Sequence, residues 1–275
     1  MLDLYLLVIS FILGMVEGLT EFLPISSSLH MNFVGELLGF SDDKVGIVLN
    51  VVIQLGAVLS IVFVFWKSFF VVFIKRVCFG NFGFFSGSFL SCGHIILGVL
   101  PTVVLGLIFY ENVKNVFKIQ YMIYFLILGG VLLLIAEWFT REFYVLDHIS
   151  NIDDLSYLQA FVIGCFQCLS LCPGFSRSGV TISGGLMVGL NRYVASTFSF
   201  VLAVPMIFSA TVLVLYKNFY FITWEYFPVL VIGFLSSFFT SLFTVKFFME
   251  IIRCVSFVPF AVYRFIVAIV LCLFY

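Results

Sequence analysis

Long apolar runs alternate with short polar breaks along the whole chain, and the runs are of two kinds. Near 46–66, 86–110, 120–138, 193–216, 226–248 and 255–275 the sequence stays apolar for about 20 residues, the length a helix needs to cross a bilayer, which predicts six full spans. The regions near 2–40 and 157–191 differ. Each is an apolar limb, a break rich in Pro and Ser, and a second short apolar limb. Broken backbone at membrane depth is tolerated only where protein or a wet cavity satisfies its polar groups, so each region predicts a re-entrant helix-turn-helix hairpin. The alternative for the first region is that its first limb crosses fully. Pro101 and Pro205 are expected as tolerated kinks inside spans, and Trp66, Trp138 and Trp224 fall at or near span ends, where indole rings favour the headgroup level.

The two broken regions repeat each other. A shift of 150 residues places Gly14 on Gly164, Glu17 on Gln167, Thr20 on Ser170, Ser26 on Ser176, Ser27 on Arg177 and Ser28 on Ser178. With three spans after each hairpin, the predicted fold is an all-α polytopic membrane protein: six transmembrane helices plus two re-entrant hairpins, arranged as an inverted-topology repeat. The first repeat would cover 1–140, with its hairpin at 2–40. The second would cover 157–275, with its hairpin at 157–191, and the polar stretch Arg141 to Ser156 would join them. An odd number of crossings between the hairpins puts them on opposite faces. Under this topology Lys67, Lys75, Arg76, Arg141, Arg192, Lys246 and Arg253 share one face, against Lys44, Lys114, Lys118 and Lys217 on the other, so the first group marks the cytoplasmic side. Both termini are then expected outside, and with Asp3 and no basic start the N-terminus is not expected to be a removable signal peptide.

Composition narrows the classes further. With 63% hydrophobic and 10% charged residues the chain lacks the polar side chains to cover a water-facing surface, and a net charge of -1 gives no basis for nucleic-acid binding. Seven cysteines lie scattered in apolar segments, which speaks against a disulfide framework. Cys165, Cys168 and Cys172 have a metal-like spacing but no accompanying ligand cluster, and small thiols pack well at helix contacts. The 38 phenylalanines are expected as lipid-facing filler.

Against that background the polar residues of the two breaks stand out, because a charge at the bilayer centre costs about 3 kcal/mol even on the forgiving insertion scale. Glu17 and Glu21 are one helical turn apart on one face, a spacing that suits a shared proton or a divalent cation. Their structural alternative is helix-helix hydrogen bonding. Pro24 breaks the first limb, and Ser26, Ser27 and Ser28 stand where the free N–H groups and positive dipole end of the second limb would bind an anion. His30, three residues past Ser27 and four past Ser26, has the spacing of a base beside a nucleophile. In the second region Pro173 and Gly174 form the break, Ser176 and Ser178 supply hydroxyls, Gly179 permits close backbone approach, and Arg177 offers a planar fork suited to phosphate oxygens or, alternatively, a salt bridge to Glu17 or Glu21. Arg264, deep in the last span, is expected as a second phosphate contact. Asn50 and Gln54, one turn apart on the first full span, line the same cavity or bond between helices. His94 and His148 have no evident partner.

The strings E-G-L-T-E-F-L-P-I-S-S-S-L-H and P-G-F-S-R-S-G-V-T-I-S-G-G, with Tyr263-Arg264 in the last span, closely resemble the signature regions of the bacterial undecaprenyl-diphosphate phosphatase family, also called the bacitracin-resistance family. The resemblance runs end to end. It implies an integral enzyme of the bacterial cytoplasmic membrane that hydrolyses undecaprenyl diphosphate to undecaprenyl phosphate, recycles the carrier for peptidoglycan and other envelope polymers, and confers bacitracin resistance. It also implies a divalent cation, Mg or Ca, and an active site open to the outer face. Position by position, it assigns Glu17 and Glu21 to the acidic, cation-binding motif, Ser27 and His30 to catalysis, and Arg177 to phosphate binding, with Gly174, Ser176 and Ser178 in the same loop. Expected partners are the polyprenyl diphosphate and membrane lipids, no nucleic acid, and a homodimer as an open option. The competing class is an inverted-repeat transporter or flippase of lipid phosphates, which needs donors and charges but no nucleophile beside a base.

Overall fold

The computed structural model describes residues 4–40, 44–66, 90–109, 118–143, 149–219 and 223–275. Among them are ten α-helices: α1 (Leu4–Thr20), α2 (Ser27–Leu37), α3 (Lys44–Val64), α4 (Cys92–Ile108), α5 (Ile119–Phe143), α6 (Tyr157–Gln167), α7 (Arg177–Met187), α8 (Arg192–Lys217), α9 (Phe227–Ile251) and α10 (Val258–Phe274). Four are long and apolar enough to cross a membrane: α3 over Val45–Val64, α5, α8 and α9. The predicted spans near 86–110 and 255–275 appear as the shorter apolar helices α4 and α10, each of 17 residues, and parts of the first lie outside the described residues. Pro101 and Pro205 lie inside α4 and α8 without ending them. Large apolar side chains such as Leu107, Phe239 and Phe243 point outward, as a lipid-facing surface requires. His148, Lys67, Lys75, Arg76 and Lys114 fall outside the described residues.

Packing divides the chain into two compact units, and each draws on both halves of the sequence. The first comprises Met1–Phe22, Ser27–Val64 and Ala203–Phe248. Its core holds Ile9 and Leu13 of α1, Met31 of α2, Val48, Leu49 and Ile53 of α3, and Val229 and Leu230 of α9. Small residues bring α1 against α9: a Cβ on Gly14 would stand 1.8 Å from Ser236 Oγ and 2.6 Å from the Gly233 carbonyl. The closeness lets side chains bond across to backbone, Ser10 Oγ donating to the Val229 carbonyl at 2.6 Å and Ser241 Oγ to that of Gly18 at 3.3 Å. In lipid, where apolar surface alone gives no drive to associate, such approach and hydrogen bonding hold helices together.

The second unit comprises Leu23–Ser26, Phe65–Leu202 and Met249–Tyr275. It repeats the same device between α6 and α4: a Cβ on Gly164 would meet the Gly98 carbonyl at 2.5 Å, and Thr102 Oγ1 donates to the Gly164 carbonyl at 3.3 Å. Gln167 Nε2 in turn donates to Thr102 Oγ1 at 3.2 Å. His94 has a structural job at the start of α4, where Nδ1 accepts the Ser91 N–H at 3.1 Å and the ring stacks on Tyr157 at 4.0 Å. Cys168 Sγ donates to the Gly164 carbonyl at 3.4 Å, while Cys165 is exposed. At the end of α5 the buried Glu137 accepts a forked pair from Arg192, 2.6 Å from Nε and 2.9 Å from Nη2, together with the Phe257 N–H at 2.9 Å.

Candidate functional site

In the first broken region α1 runs to Thr20, and one more helical bond, Glu21 N–H to the Glu17 carbonyl at 2.9 Å, carries the turn on before Pro24 ends it. Glu17 is fully buried at the last turn of α1. The chain re-enters helix at Ser27, and Ser26, just before it, holds φ at +72°, a left-handed conformation that side-chain-bearing residues rarely adopt. That twist redirects the backbone so that α2 begins with its N–H groups facing the break. Ser27 Oγ donates to Glu21 Oε2 at 2.5 Å. A hydroxyl has a single proton, so in this structure Ser27 gives it to Glu21, whereas sequence spacing had pointed to His30 as its neighbour. Ser28 and His30 lie half-buried on the first turn of α2.

The second broken region has the same frame with other chemistry. After α6 a 3-10 turn over Cys168–Leu171 leads to Pro173 and Gly174, the latter at φ +107°, where a Cβ would stand 2.3 Å from the Met122 carbonyl. Ser176 holds φ at +69°, close to the +72° of Ser26, and caps α7 by accepting the Gly179 N–H at 3.2 Å. Ser178 Oγ donates its proton to the Leu23 carbonyl at 2.9 Å, so the 3.0 Å contact between the two hydroxyls has Ser176 as donor. Arg177, the first residue of α7, is half-buried and donates from Nη1 to the Ser199 carbonyl at 3.0 Å.

Arg264 corrects an expectation. It is fully buried, and its guanidinium faces carbonyls: Nε to Leu126 at 2.9 Å, Nη2 to Gly174 at 3.0 Å, Phe175 at 2.9 Å and Phe125 at 3.4 Å, and Nη1 to Pro24 at 3.4 Å. Donors turned to these carbonyls are not available for a phosphate. Instead, one cation ties the Pro24 turn of the first break to the Gly174–Phe175 turn of the second, and Gly129 makes room for it, since a Cβ there would lie 2.1 Å from Nη2. Together with the Ser178 to Leu23 bond, this joins the two turns within one compact unit. Gln54 is half-buried on α3, one turn from Asn50.

Two residues that sequence reasoning passed over now have roles. Glu137 is the centre of the α5 to α8 tie, and an acid within an apolar run was its one signal. Ser199 orients Arg177 through a backbone carbonyl, which no side-chain pattern announces.

The chain is thus a helical protein with four helices long and apolar enough to cross a membrane and two interrupted helix pairs, one acidic and hydroxyl-bearing and the other arginine-bearing. The model of the family described as "Bacitracin resistance protein BacA" matches residues 10–270, and the chain belongs to that family, the undecaprenyl-diphosphate phosphatases.

Proposed function

We propose that this protein hydrolyses undecaprenyl diphosphate to undecaprenyl phosphate and inorganic phosphate in the bacterial cytoplasmic membrane, recycling the carrier for envelope synthesis and conferring bacitracin resistance. The observation that carries the reading is the Ser27 hydroxyl directed at Glu21 at the start of α2, in a chain of the phosphatase family. Ser27 Oγ attacks the terminal phosphorus and its proton passes to Glu21, the carboxylate it already faces. The bond from phosphorus to the bridging oxygen breaks, and the polyprenyl monophosphate leaves. Water then attacks the phosphoserine, giving a proton to His30, and inorganic phosphate departs as Glu21 returns its proton to Ser27 Oγ. The family resemblance gives Arg177 the task of holding phosphoryl oxygens as negative charge grows.

Glu17 and Glu21 would hold the divalent cation, Mg or Ca. Two carboxylates, with no larger ligand cluster among the described residues, suit a hard cation whose remaining positions are filled by water and substrate oxygens. Such an ion would neutralise diphosphate charge. The wider reading comprises six spans, two re-entrant hairpins and an inverted repeat with the active site and termini toward the outer face. The repeat in that reading is supported by the recurrence of φ near +70° at Ser26 and Ser176 and by the second limbs of equal length, 11 residues each.

Phosphate release from undecaprenyl diphosphate in detergent, where transport has no meaning, is the deciding assay. Wild-type turnover with loss in Ser27→Ala and Glu21→Gln is expected. Turnover of Ser27→Ala near that of wild type would replace the serine by a water attacking directly, and no release by folded wild-type protein would favour a transporter.

A further inference from the structure

One cavity lies apart from the interrupted helices. About 680 Å³ in volume, it opens where α5 ends, α8 begins and α9 has just finished, lined by Thr140, Arg141, Asn191, Arg192, Tyr193 and Arg253 among others. Three guanidinium groups thus face one region that holds a single described carboxylate partner, Glu137. Arg192 takes that carboxylate in its fork and is only partly exposed, whereas Arg141 stands 3.9 Å from it with 64% of its side chain exposed. Arg253 is held over the Tyr193 ring at 4.4 Å, which fixes the direction of its charge. The positive end of the α8 dipole adds to the field, and Asn191 Oδ1 caps that end through the Val194 N–H at 2.8 Å.

The setting argues for a lipid over a free ion. The cavity sits at the ends of three helices long and apolar enough to span, so its mouth is at headgroup level. On the last turns of α5, Trp138 and Phe143 are both exposed and packed edge to face at 6.1 Å, an interfacial aromatic pair beside the basic groups. An arginine-lined recess next to exposed aromatic surface matches a molecule with a phosphate at one end and acyl chains at the other.

We propose that this cavity binds the phosphate headgroup of an anionic phospholipid, with Arg141 and Arg253 as its exposed cations and Arg192 locked as part of the wall. The site is independent of the hydrolytic reading above.

The test uses purified full-length protein and native mass spectrometry, with phosphatidylglycerol and phosphatidylcholine titrated separately. Wild type is expected to hold one phosphatidylglycerol at least about tenfold more tightly than phosphatidylcholine, and the Arg141→Ala/Arg253→Ala double variant to lose that preference. Equal retention of the two lipids by wild type overturns the proposal, as does an unchanged preference in the double variant. If the double variant does not fold, the wild-type comparison decides alone. A third arm adds millimolar inorganic phosphate: phosphate bound in place of any preferred lipid overturns the lipid assignment in favour of a soluble anion.

Discussion

The two broken regions share a backbone and divide the chemistry. Ser26 and Ser176 hold φ at +72° and +69°, the helices after them are each 11 residues long, and both end on a left-handed glycine, Gly39 and Gly189. Even the terminal bonds correspond: Gly39 and Phe40 N–H groups donate to Glu36 and Gly35, Gly189 and Leu190 to Leu186 and Gly185. Surroundings differ sharply. In α7 the whole run Ser178–Leu186 is buried, whereas in α2 only Leu29, Met31 and Gly35 are. A helix packed on all sides is held still, and one with half-buried polar positions leaves side chains room to meet a ligand. On the proposed function, the first motif is the reactive edge and the second an anchored cation mount.

If Arg264 joins the two turns, Arg264→Met should have the largest effect on the comparison, because it leaves carbonyls of both regions unpaired in the interior at about 1–3 kcal/mol each. The expected outcome is a collapse of the melting temperature in detergent, with activity falling in step with the folded fraction. A variant that melts like wild type would mean the turns hold without the clamp.

Next come changes that separate the chemistry of the motifs while leaving their frame intact. Arg177→Ala and Glu21→Ala are each expected to lower kcat for phosphate release by about 10²–10³-fold, the usual loss on removing one charge-stabilising group, with little change in melting temperature. Arg177→Lys should recover only part of the loss, since an ammonium cannot fork two oxygens. Full activity in either alanine variant would take that motif out of the reaction.

Smaller effects probe the frame. Gly129→Ala should destabilise by about 1–3 kcal/mol, the ordinary range for overpacking, as its Cβ displaces the guanidinium. It should lower activity less than Arg177→Ala does. The smallest expected change is at the caps: Ser176→Ala loses the bond to the Gly179 N–H, about 1 kcal/mol, seen as a modest drop in melting temperature. Ser176→Gly should cost less, because glycine accepts the left-handed φ without strain.

Much of this was legible before any coordinates. Spacing paired Ser26 with Ser176 and Gly14 with Gly164; in the structure both serines hold φ near +70° and both glycines lie where a neighbouring helix comes close. Pro24 and Pro173-Gly174 marked the breaks, since proline removes a donor and glycine permits the turn. The use of Arg264 was not legible: a buried arginine suggests an anion partner, and backbone carbonyls, carried by every residue, leave no mark in a pattern of side chains. The Ser27 contact was hidden for a related reason. Helical spacing favoured His30 as the neighbour of Ser27, but the pair that meets, Glu21 and Ser27, lies across the break, where no helical period applies.

The one-dimensional pattern by itself determined that this chain is a membrane protein of helices, where its two interruptions fall, and which ionisable residues they contain, because hydrophobic length, proline and charge act locally or through the bilayer. Only the tertiary structure decided which partner each polar group takes. Arg264 bonds to carbonyls of residues from 24 to 175, and Glu137 joins α5 to Arg192 and Phe257, contacts that exist only when distant segments pack. In a low-dielectric interior every buried donor must find an acceptor, and the fold determines which acceptor is within reach.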